Sequence, residues 1–363
     1  MYKHKSKIKN NLYEFYYYYP KVSQNIFIDK EIDRIFLIKK IEKSVRINFK
    51  IEGFSLLSKC LYENNHRDDP ILCTLSKNVV KDNLLLSYLN KQIIKLIKKL
   101  NSKTYQKKLV NKKIVERKVL LFYNNYNINI NINTYKRIKK QIINESYKKY
   151  IDFDTLLWIL YFRYKEFGLY NNSQISVHPI HYNIFKKKFK LNVECFGSFF
   201  NHILKNYFGI FPDLEKYMGC LGNFYNSKFV RGFYIVNPPY TTDHILDSLK
   251  HCINMLNDSK KELYFLFIIP TWVNENRKKL NKKCKKKLKI ENYDNIYDNF
   301  FKNLREKDFL KKYLLYCKEN YNFYSYLVEN KVNVSPASMI LLSNTIIKLD
   351  LEEIFGSPDV INK

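Results

Sequence analysis

The segment Asn237-Pro238-Pro239-Tyr240 combines hydrogen-bond acceptors with a rigid backbone, and it directly follows an apolar run at residues 233–236. Asn237 offers a side-chain carbonyl and Pro238 a main-chain carbonyl, and the fixed φ of proline holds both acceptors in place. An exocyclic adenine amine has two N–H groups and a lone pair delocalised into the ring. Two fixed acceptors would hold both N–H groups and favour the pyramidal nitrogen of a methyl-transfer transition state. The segment therefore predicts methylation of adenine N6, with Tyr240 stacked on the base.

The position of this segment is as informative as its composition. Only nine prolines occur in the chain, so an Asn-Pro-Pro-aromatic run arises by chance with a probability of about 1%. The segment also lies at the carboxyl end of a predicted strand. Open α/β sheets bind their ligands beyond the carboxyl ends of their strands. A base reaches such a pocket only from a chain end or after extrusion from a duplex. The alternative interpretation is a rigid strand-exit turn without a chemical role.

Methyl transfer requires a donor, and we predict that the cofactor is S-adenosyl-L-methionine. The usual Gly-x-Gly-x-x-Gly loop is absent from the sequence. Glu194, at the end of a predicted strand, could hold the amino group of the methionine or a ribose hydroxyl, and Asp213 could hold the ribose from a second strand end. A purely structural role for these segments stays open. The candidate donor-binding residues are Glu194, Phe196, Gly197, Asn201 and Asp213.

Residues 171–350 alternate short apolar runs with helical patterns, which is typical of an α/β fold. Residues 244–256 have apolar side chains at helical spacing and lie between two apolar runs, which predicts a strand-helix-strand crossover. The predicted fold class is α/β, a Rossmann-like class I methyltransferase domain preceded by a mostly helical domain. The predicted strands lie at residues 191–196, 233–236, 263–269 and 337–343.

Residues 24–170 have mostly helical periodicity and predict a substrate-binding or cap-binding module, with helices at 82–100 and 153–167. The Asn-rich segment near 124–133 alternates with period two, which would suit a strand, but its low complexity favours an inserted loop. The remaining predicted segments are a basic tail at 1–23, a basic insertion near 276–312 and a second tail at 351–363.

The chain has 64 Lys and Arg residues against 34 Asp and Glu residues, a formal net charge of +30. This excess favours a polyanionic partner, above all nucleic acid, although an AT-rich coding sequence would also enrich lysine. The seven cysteines are odd in number and include no Cys-x-x-Cys pair, so we predict neither a metal site nor a disulfide framework. No apolar run reaches the roughly 18 residues of a membrane helix. We therefore expect an intracellular protein without a membrane partner.

Several segments together resemble the phosphorylated-CTD-interacting factors, a family of cap-specific adenosine N6-methyltransferases. The resemblance covers about residues 150–345. The segments that carry it are residues 157–165, 172–174, 194–198, 211–213, 237–240, 267–272 and 337–344.

The resemblance implies methylation of the first transcribed adenosine beside a 7-methylguanosine cap, with the capped RNA held between the helical module and the catalytic domain. It places Trp272, Asn274 and Glu275 in the substrate pocket. The triphosphate of a cap needs basic partners, for which Arg34 and Arg46 are the candidates. The substrate and the basic runs predict residence in the nucleus, with the cytoplasm as the alternative.

The sequence departs from the family pattern in three respects. Tyr240 stands where the family has a phenylalanine, and a tyrosine stacks equally well. Thr242, a candidate for substrate binding, stands where the family has an acidic residue. The resemblance therefore does not carry the family's cap contacts over to this position. The chain has only two tryptophans, Trp158 and Trp272, and neither lies in the short hairpin pattern of a WW domain. We therefore predict that no WW domain is present and that binding to the RNA polymerase II tail is not implied.

Two other functions stay open on the sequence alone. The same chemistry at residues 237–240 would serve an adenine methyltransferase that acts on DNA or on an internal RNA site. From another class, a homologue could bind capped RNA without catalysis.

Overall fold

The computed structural model of the chain describes residues 4–9, 13–19, 26–61, 69, 71–143, 145–170, 174–191, 193–240, 242–270, 313–318, 321–325, 330–332, 337–346 and 354. Its strands are β1 (His4–Lys9), β2 (Glu14–Tyr19), β3 (Asn111–Val115), β4 (Lys118–Tyr123), β5 (Tyr126–Asn131), β6 (Ile175–Ser176), β7 (Val193–Glu194), β8 (Asn206–Tyr207), β9 (Lys228–Val236), β10 (Leu263–Pro270), β11 (Tyr313–Lys318), β12 (Phe323–Ser325), β13 (Asn330–Val332) and β14 (Ala337–Ser343). Its α-helices are α1 (Ile28–Phe49), α2 (Leu56–Leu61), α3 (Asn83–Ser102), α4 (Ile132–Lys140), α5 (Phe153–Glu166), α6 (Pro179–Phe189), α7 (Pro212–Glu215) and α8 (Thr242–Asp258).

One mixed sheet organises the C-terminal part of the chain. Its strand order is β1-β2-β9-β10-β14-β11, and β7 pairs with both β8 and β9. Strands β8, β7, β9 and β10 are mutually parallel, whereas β14 runs antiparallel between β10 and β11. The architecture is therefore mixed α/β, as predicted, and the Rossmann-like description stays a prediction.

The centre of this sheet is buried on both faces. Val236 and Phe267 point to a core that the buried residues of α8 complete, and Ile235 and Leu266 point to a second core beneath α6. Burial on both faces explains why these strands are continuous apolar runs without alternation. The parallel pairing of β9 and β10 around α8 confirms the predicted strand-helix-strand crossover, and β14 confirms the strand at 337–343.

The N-terminal helices follow from their apolar spacing and their caps. The Asp82 side chain accepts a hydrogen bond from the Leu85 amide at 2.9 Å and starts α3. Residues Leu85, Leu89, Ile93, Leu96 and Leu100 form the buried stripe of that helix. The predicted helix at 82–100 is confirmed, and α5 confirms the one at 153–167.

The Asn-rich segment is a strand, so the favoured loop interpretation is wrong. It forms β5, the last strand of a three-stranded antiparallel sheet in the order β3-β4-β5. Ile128 and Ile130 are buried, whereas Asn127, Asn129 and Asn131 are exposed. The period-two alternation was the informative signal, because one face of this sheet packs on the core and the other meets water.

This arrangement predicts unequal effects of two neighbouring substitutions. Ile130→Ala should lower the free energy of unfolding by about 2–5 kcal/mol, because it removes a side chain that is 2% exposed from a packed core. Asn129→Ala should change it by no more than about 0.5 kcal/mol. Urea denaturation of the two variants measures both quantities. Small and equal changes in the free energy of unfolding would contradict the strand and favour an inserted loop.

The described ends of the chain also differ from the predicted tails. Strand β2 pairs antiparallel with β9 and extends the large sheet. Phe15 is fully buried, and its ring centroid lies 5.5 Å from that of Phe229. Ile354 is 6% exposed and lies in the core beneath α6. Sequence reasoning did not find these contacts because each joins residues far apart in the chain. The division into two domains stays a prediction.

Candidate active site

The carboxyl ends of β7, β9 and β10 lie side by side at one edge of the sheet. Glu194 in β7 is in register with Ile235 in β9, and Val236 with Phe267 in β10. The Cys195 amide donates to the Ile235 carbonyl at 3.4 Å. The structure therefore brings the turn after β7 next to the Asn237-Pro238-Pro239-Tyr240 segment, which follows β9 directly.

Two contacts fix the orientation of the Asn237 amide. Its Nδ2 donates to the main-chain carbonyl of Ile175 at 3.4 Å, and its Oδ1 accepts from the Tyr240 hydroxyl at 2.9 Å. A carbonyl can only accept, so the amide atom that faces Ile175 must be the nitrogen. An amide oxygen has two lone pairs, of which Tyr240 uses one. Asn237 therefore keeps an acceptor position at the carboxyl edge of the sheet.

Tyr240 is held by a small sheet beside the large one, in the order β13-β12-β6. Its ring packs edge-on against Phe323 in β12, with centroids 5.7 Å apart, and Phe323 is fully buried. Burial raises the pKa of Tyr240 well above its usual value, so its hydroxyl stays protonated and keeps donating to Asn237. The hydroxyl orients Asn237 in this structure, and the stacking role of the ring stays a prediction.

Glu194 lies at this edge but faces the interior. It is 1% exposed, and its Oε1 accepts from the amide of Leu204 at 2.6 Å and from the amide of Ile203. Burial raises the pKa of Glu194 to about 7, although these amides act to lower it. The carboxyl group thus anchors residues 203–204 and does not present itself to a ligand.

Three further donor-binding candidates surround the turn after β7. A Cβ on Gly197 would lie 2.9 Å from Cβ of Tyr207, so glycine permits a close approach of β8. Asn201 Oδ1 accepts from the Ser198 amide at 3.0 Å. Phe196 is partly exposed and contacts the ring of Phe224 with centroids 4.7 Å apart. Phe196 and Gly197 are partly exposed at this edge, whereas Asn201 is buried.

Asp213 and Arg34 belong to a buried ion-pair network, which differs from the ligand roles predicted for them. Both Asp213 oxygens accept from Arg163 Nη1, at 2.8 and 2.9 Å. Arg163 Nε donates to Glu31 at 2.9 Å, and Glu31 also binds Arg34. Arg34 Nε donates to Asp69 at 2.8 Å, and Arg34 is 3% exposed. The structure therefore does not favour phosphate binding by Arg34 or direct ribose binding by Asp213.

Of the other residues predicted to bind the substrate, only Arg46 has a described side chain. Arg46 is exposed in the last turn of α1. Thr242 is the first residue of α8, and its side chain is not among those described. Trp272, Asn274 and Glu275 lie outside the described residues, as does the basic insertion near 276–312.

Three residues that position other groups in the structure were not predicted from the sequence: Ile175, Phe323 and Arg163. The carbonyl of Ile175 and the ring of Phe323 position Asn237 and Tyr240, and no local pattern could indicate them because they are distant in the chain. Arg163 gave a usable signal, since a cation within the buried apolar stretch 156–164 of α5 needs buried partners.

Within the described part of the chain, no helix is both long and apolar enough to span a membrane. The same residues contain no group of three or more His, Cys, Asp or Glu side chains that could bind a metal ion.

Comparisons with known proteins find similarity over a part of the chain that includes the candidate site. Residues 134–299 match the family model described as "Phosphorylated CTD interacting factor 1 WW domain". The chain is also similar to two proteins named mRNA (2'-O-methyladenosine-N(6)-)-methyltransferase, from Homo sapiens and Mus musculus. Each is 28% identical over 121 residues, which are 32% of this chain and 17% of the relative. The chain thus matches only a small part of the length of these relatives.

The family match overturns one prediction. The absence of a WW domain, and with it the inference about the RNA polymerase II tail, rested on the number and spacing of tryptophans. The matching model is described as a WW domain, so that prediction is wrong. The match extends from α4 past β10, a far longer segment than the short hairpin pattern on which the prediction relied. Over part of its length, the chain is therefore similar to the phosphorylated CTD interacting factor family and to mRNA N6-methyltransferases.

Proposed function

We propose that this protein transfers a methyl group from S-adenosyl-L-methionine to N6 of the first transcribed adenosine, next to the 7-methylguanosine cap of an RNA. The observation that carries the proposal is the oriented amide of Asn237 at the carboxyl edge of β9, held by Ile175 and Tyr240. The names of the similar proteins, which specify N6-methylation of 2'-O-methyladenosine in mRNA, support the N6-methyltransferase part of this proposal.

Asn237 and Pro238 have distinct tasks in this proposal. The second lone pair of Asn237 Oδ1 accepts one N–H of the adenine amine, and the Pro238 carbonyl accepts the other. Holding both hydrogens favours the pyramidal nitrogen, whose lone pair is then no longer delocalised into the ring. The Tyr240 hydroxyl keeps the amide from rotating, so no reorganisation is needed when the amine arrives.

When bound, the cofactor supplies an electrophilic methyl group. Glu194, Asn201 and Asp213 do not fit it as direct ligands, because these side chains are at most 8% exposed and are hydrogen-bonded within the protein. Phe196 and the backbone of its turn offer apolar contact at the same edge. We therefore propose that other groups of the protein make the polar contacts to the donor.

Several features support a Rossmann-like methyltransferase domain within this proposal. The parallel strands β8, β7, β9 and β10 continue into the antiparallel strand β14, and the candidate site lies at their carboxyl ends. Trp272, Asn274, Glu275 and Thr242 are the residues that we propose to contact the substrate. We further propose that the protein acts in the nucleus.

Transfer of labelled methyl groups tests the proposed function. Purified protein should methylate RNA that begins with 7-methylguanosine-capped adenosine, and the same RNA without the cap should be a poor substrate. The cap is expected to matter because its cationic methylated guanine can stack on an aromatic face and its triphosphate can pair with basic side chains. Equal transfer to uncapped RNA or to DNA would support the broader adenine methyltransferase and contradict cap specificity. RNA binding without any transfer would point to the non-catalytic alternative.

A further inference from the structure

A surface groove of about 740 Å³ lies between α4, the 3-10 helix Glu145–Lys149 and the start of α5. Its floor is apolar: Ile151 and Phe153 are buried there, whereas Leu109 is 60% exposed and Ile142 is partly exposed, so these two offer apolar surface to a ligand. Three exposed lysines form its rim: Lys107, Lys139 and Lys148. We call this feature the basic groove. It lies outside the candidate active site described above.

The charge at the basic groove is predominantly positive. Further exposed lysines lie on the same elements, namely Lys136, Lys140 and Lys149. Two acidic residues also line the groove. Glu145 pairs with Lys148 at 2.8 Å, and both side chains are largely exposed, so the pair contributes little and can be exchanged for another anion. Asp152 accepts from the Thr155 amide at 3.0 Å and caps α5, where the helix N-terminus offsets its charge.

An apolar floor beneath a basic rim matches the chemistry of single-stranded nucleic acid. The bases of a single strand present flat apolar faces, whereas its phosphates follow the backbone and need cations. A duplex would present its phosphates and keep its bases away from the floor. An acidic peptide would satisfy the lysines but has no regular apolar face for the floor.

Helix α4 connects the basic groove to the candidate active site. Arg137 Nη2 donates to the Phe200 carbonyl at 2.7 Å, and Gln141 Nε2 donates to the His202 carbonyl at 3.3 Å. Both acceptors lie in the loop that follows the turn after β7. Lys139 is two residues from Arg137, so it points about 200° away on a helix of 3.6 residues per turn. One side of α4 therefore supports the active-site loop, and the other lines the groove.

We propose that the basic groove binds the single-stranded body of the RNA, downstream of the nucleotide in the active site. This inference rests on the proposed function, which makes RNA the substrate. The three rim lysines contact phosphates, and the floor contacts bases. The groove thus adds affinity for RNA that increases with the length of the RNA and depends little on its base sequence.

Fluorescence anisotropy without a methyl donor tests this proposal separately from catalysis. The probe is a single-stranded RNA of about 20 nucleotides, titrated at several salt concentrations. In the triple variant K107Q/K139Q/K148Q, we expect the affinity to fall by about tenfold or more. Each phosphate contact on a single strand contributes about 0.7 to the slope of log K against log salt concentration, so the slope should fall by about 2.

A matched control removes the same charge elsewhere. K91Q/K95Q/K98Q changes three exposed lysines of α3 and should lower the affinity clearly less. Equal losses in both variants would overturn the proposal, because binding would then depend on net charge alone. Unchanged binding in the groove variant would also overturn it. If a polyglutamate peptide of equal charge bound the groove as tightly as the RNA, the partner would be an acidic peptide and the proposal would be wrong.

Discussion

Replacing Asn237 by alanine should reduce methyl transfer to capped RNA by about 10²–10³-fold, since one preorganised hydrogen-bonding group at a reacting atom typically contributes this much. The substitution removes the acceptor that Ile175 and Tyr240 orient. The measurement is single-turnover transfer of labelled methyl groups at saturating RNA. Tyr240→Phe leaves the acceptor and removes only its orienting hydroxyl, so a loss of about tenfold or less is expected, which corresponds to one neutral hydrogen bond.

Two controls make the Asn237 result decisive. Asn183→Ala changes an exposed asparagine of α6 and should leave the rate as in the wild type. Asn237→Asp retains an acceptor but cannot donate to Ile175, so its rate should lie between those of the wild type and the alanine variant. Urea midpoints must be similar for all variants. Wild-type rates in a folded Asn237→Ala protein would show that this segment is only a strand-exit turn.

The second large effect concerns stability. Arg163→Met should lower the free energy of unfolding by about 3–5 kcal/mol, because it leaves Asp213 as a buried carboxylate without its ion-pair partner and leaves Glu31 with Arg34 alone. Arg46→Met removes an exposed arginine and should change stability by no more than about 0.5 kcal/mol. Urea denaturation at neutral pH compares the two. Similar small losses in both variants would contradict the role of Arg163.

The Arg163 variant should also change the response to acid. Burial opposes the ionisation of Glu31, but Arg163 and Arg34 outweigh it and hold the pKa of Glu31 at about 2, against an ordinary value of 4.5. In the wild type, Glu31 therefore stabilises the fold above pH 4.5, and this contribution is lost as the pH falls through about 2. Without Arg163 the pKa of Glu31 rises, so this group should contribute less stability at neutral pH, and its loss, which starts near pH 4.5 in both proteins, should be complete at a higher pH than in the wild type. An identical pH profile in both proteins would contradict this.

The sequence predicted best what depends on local periodicity. The crossover of β9, α8 and β10 and the helix α3 were confirmed because their apolar residues repeat at spacings that only one element satisfies. The strand β5 carried an equally clear period of two, but the abundance of asparagine outweighed it in the prediction. Exposed positions of a strand tolerate asparagine, and the buried isoleucines specify the register.

Contacts between distant residues set the limit of sequence reasoning at the candidate site. Asn237 was predicted from its own segment, yet its orientation depends on Ile175, 62 positions away. Arg163 was visible as a cation in an apolar helix, but its partners lie 132 and 50 positions away and have no pattern of their own. Such pairings are determined by the packing of whole elements, which composition and spacing do not describe.

The ion-pair network around Arg163 has a consequence for fragments of this protein. The family match begins at residue 134, within α4, whereas Glu31 belongs to α1. A fragment that starts at the match would keep Arg163 and Asp213 but lose Glu31, and a fragment that starts after α5 would leave Asp213 without its cation. Because α1 supplies a partner of the buried Arg163, we expect a fragment that begins at the border of sequence similarity to be less stable than one that includes the first helix.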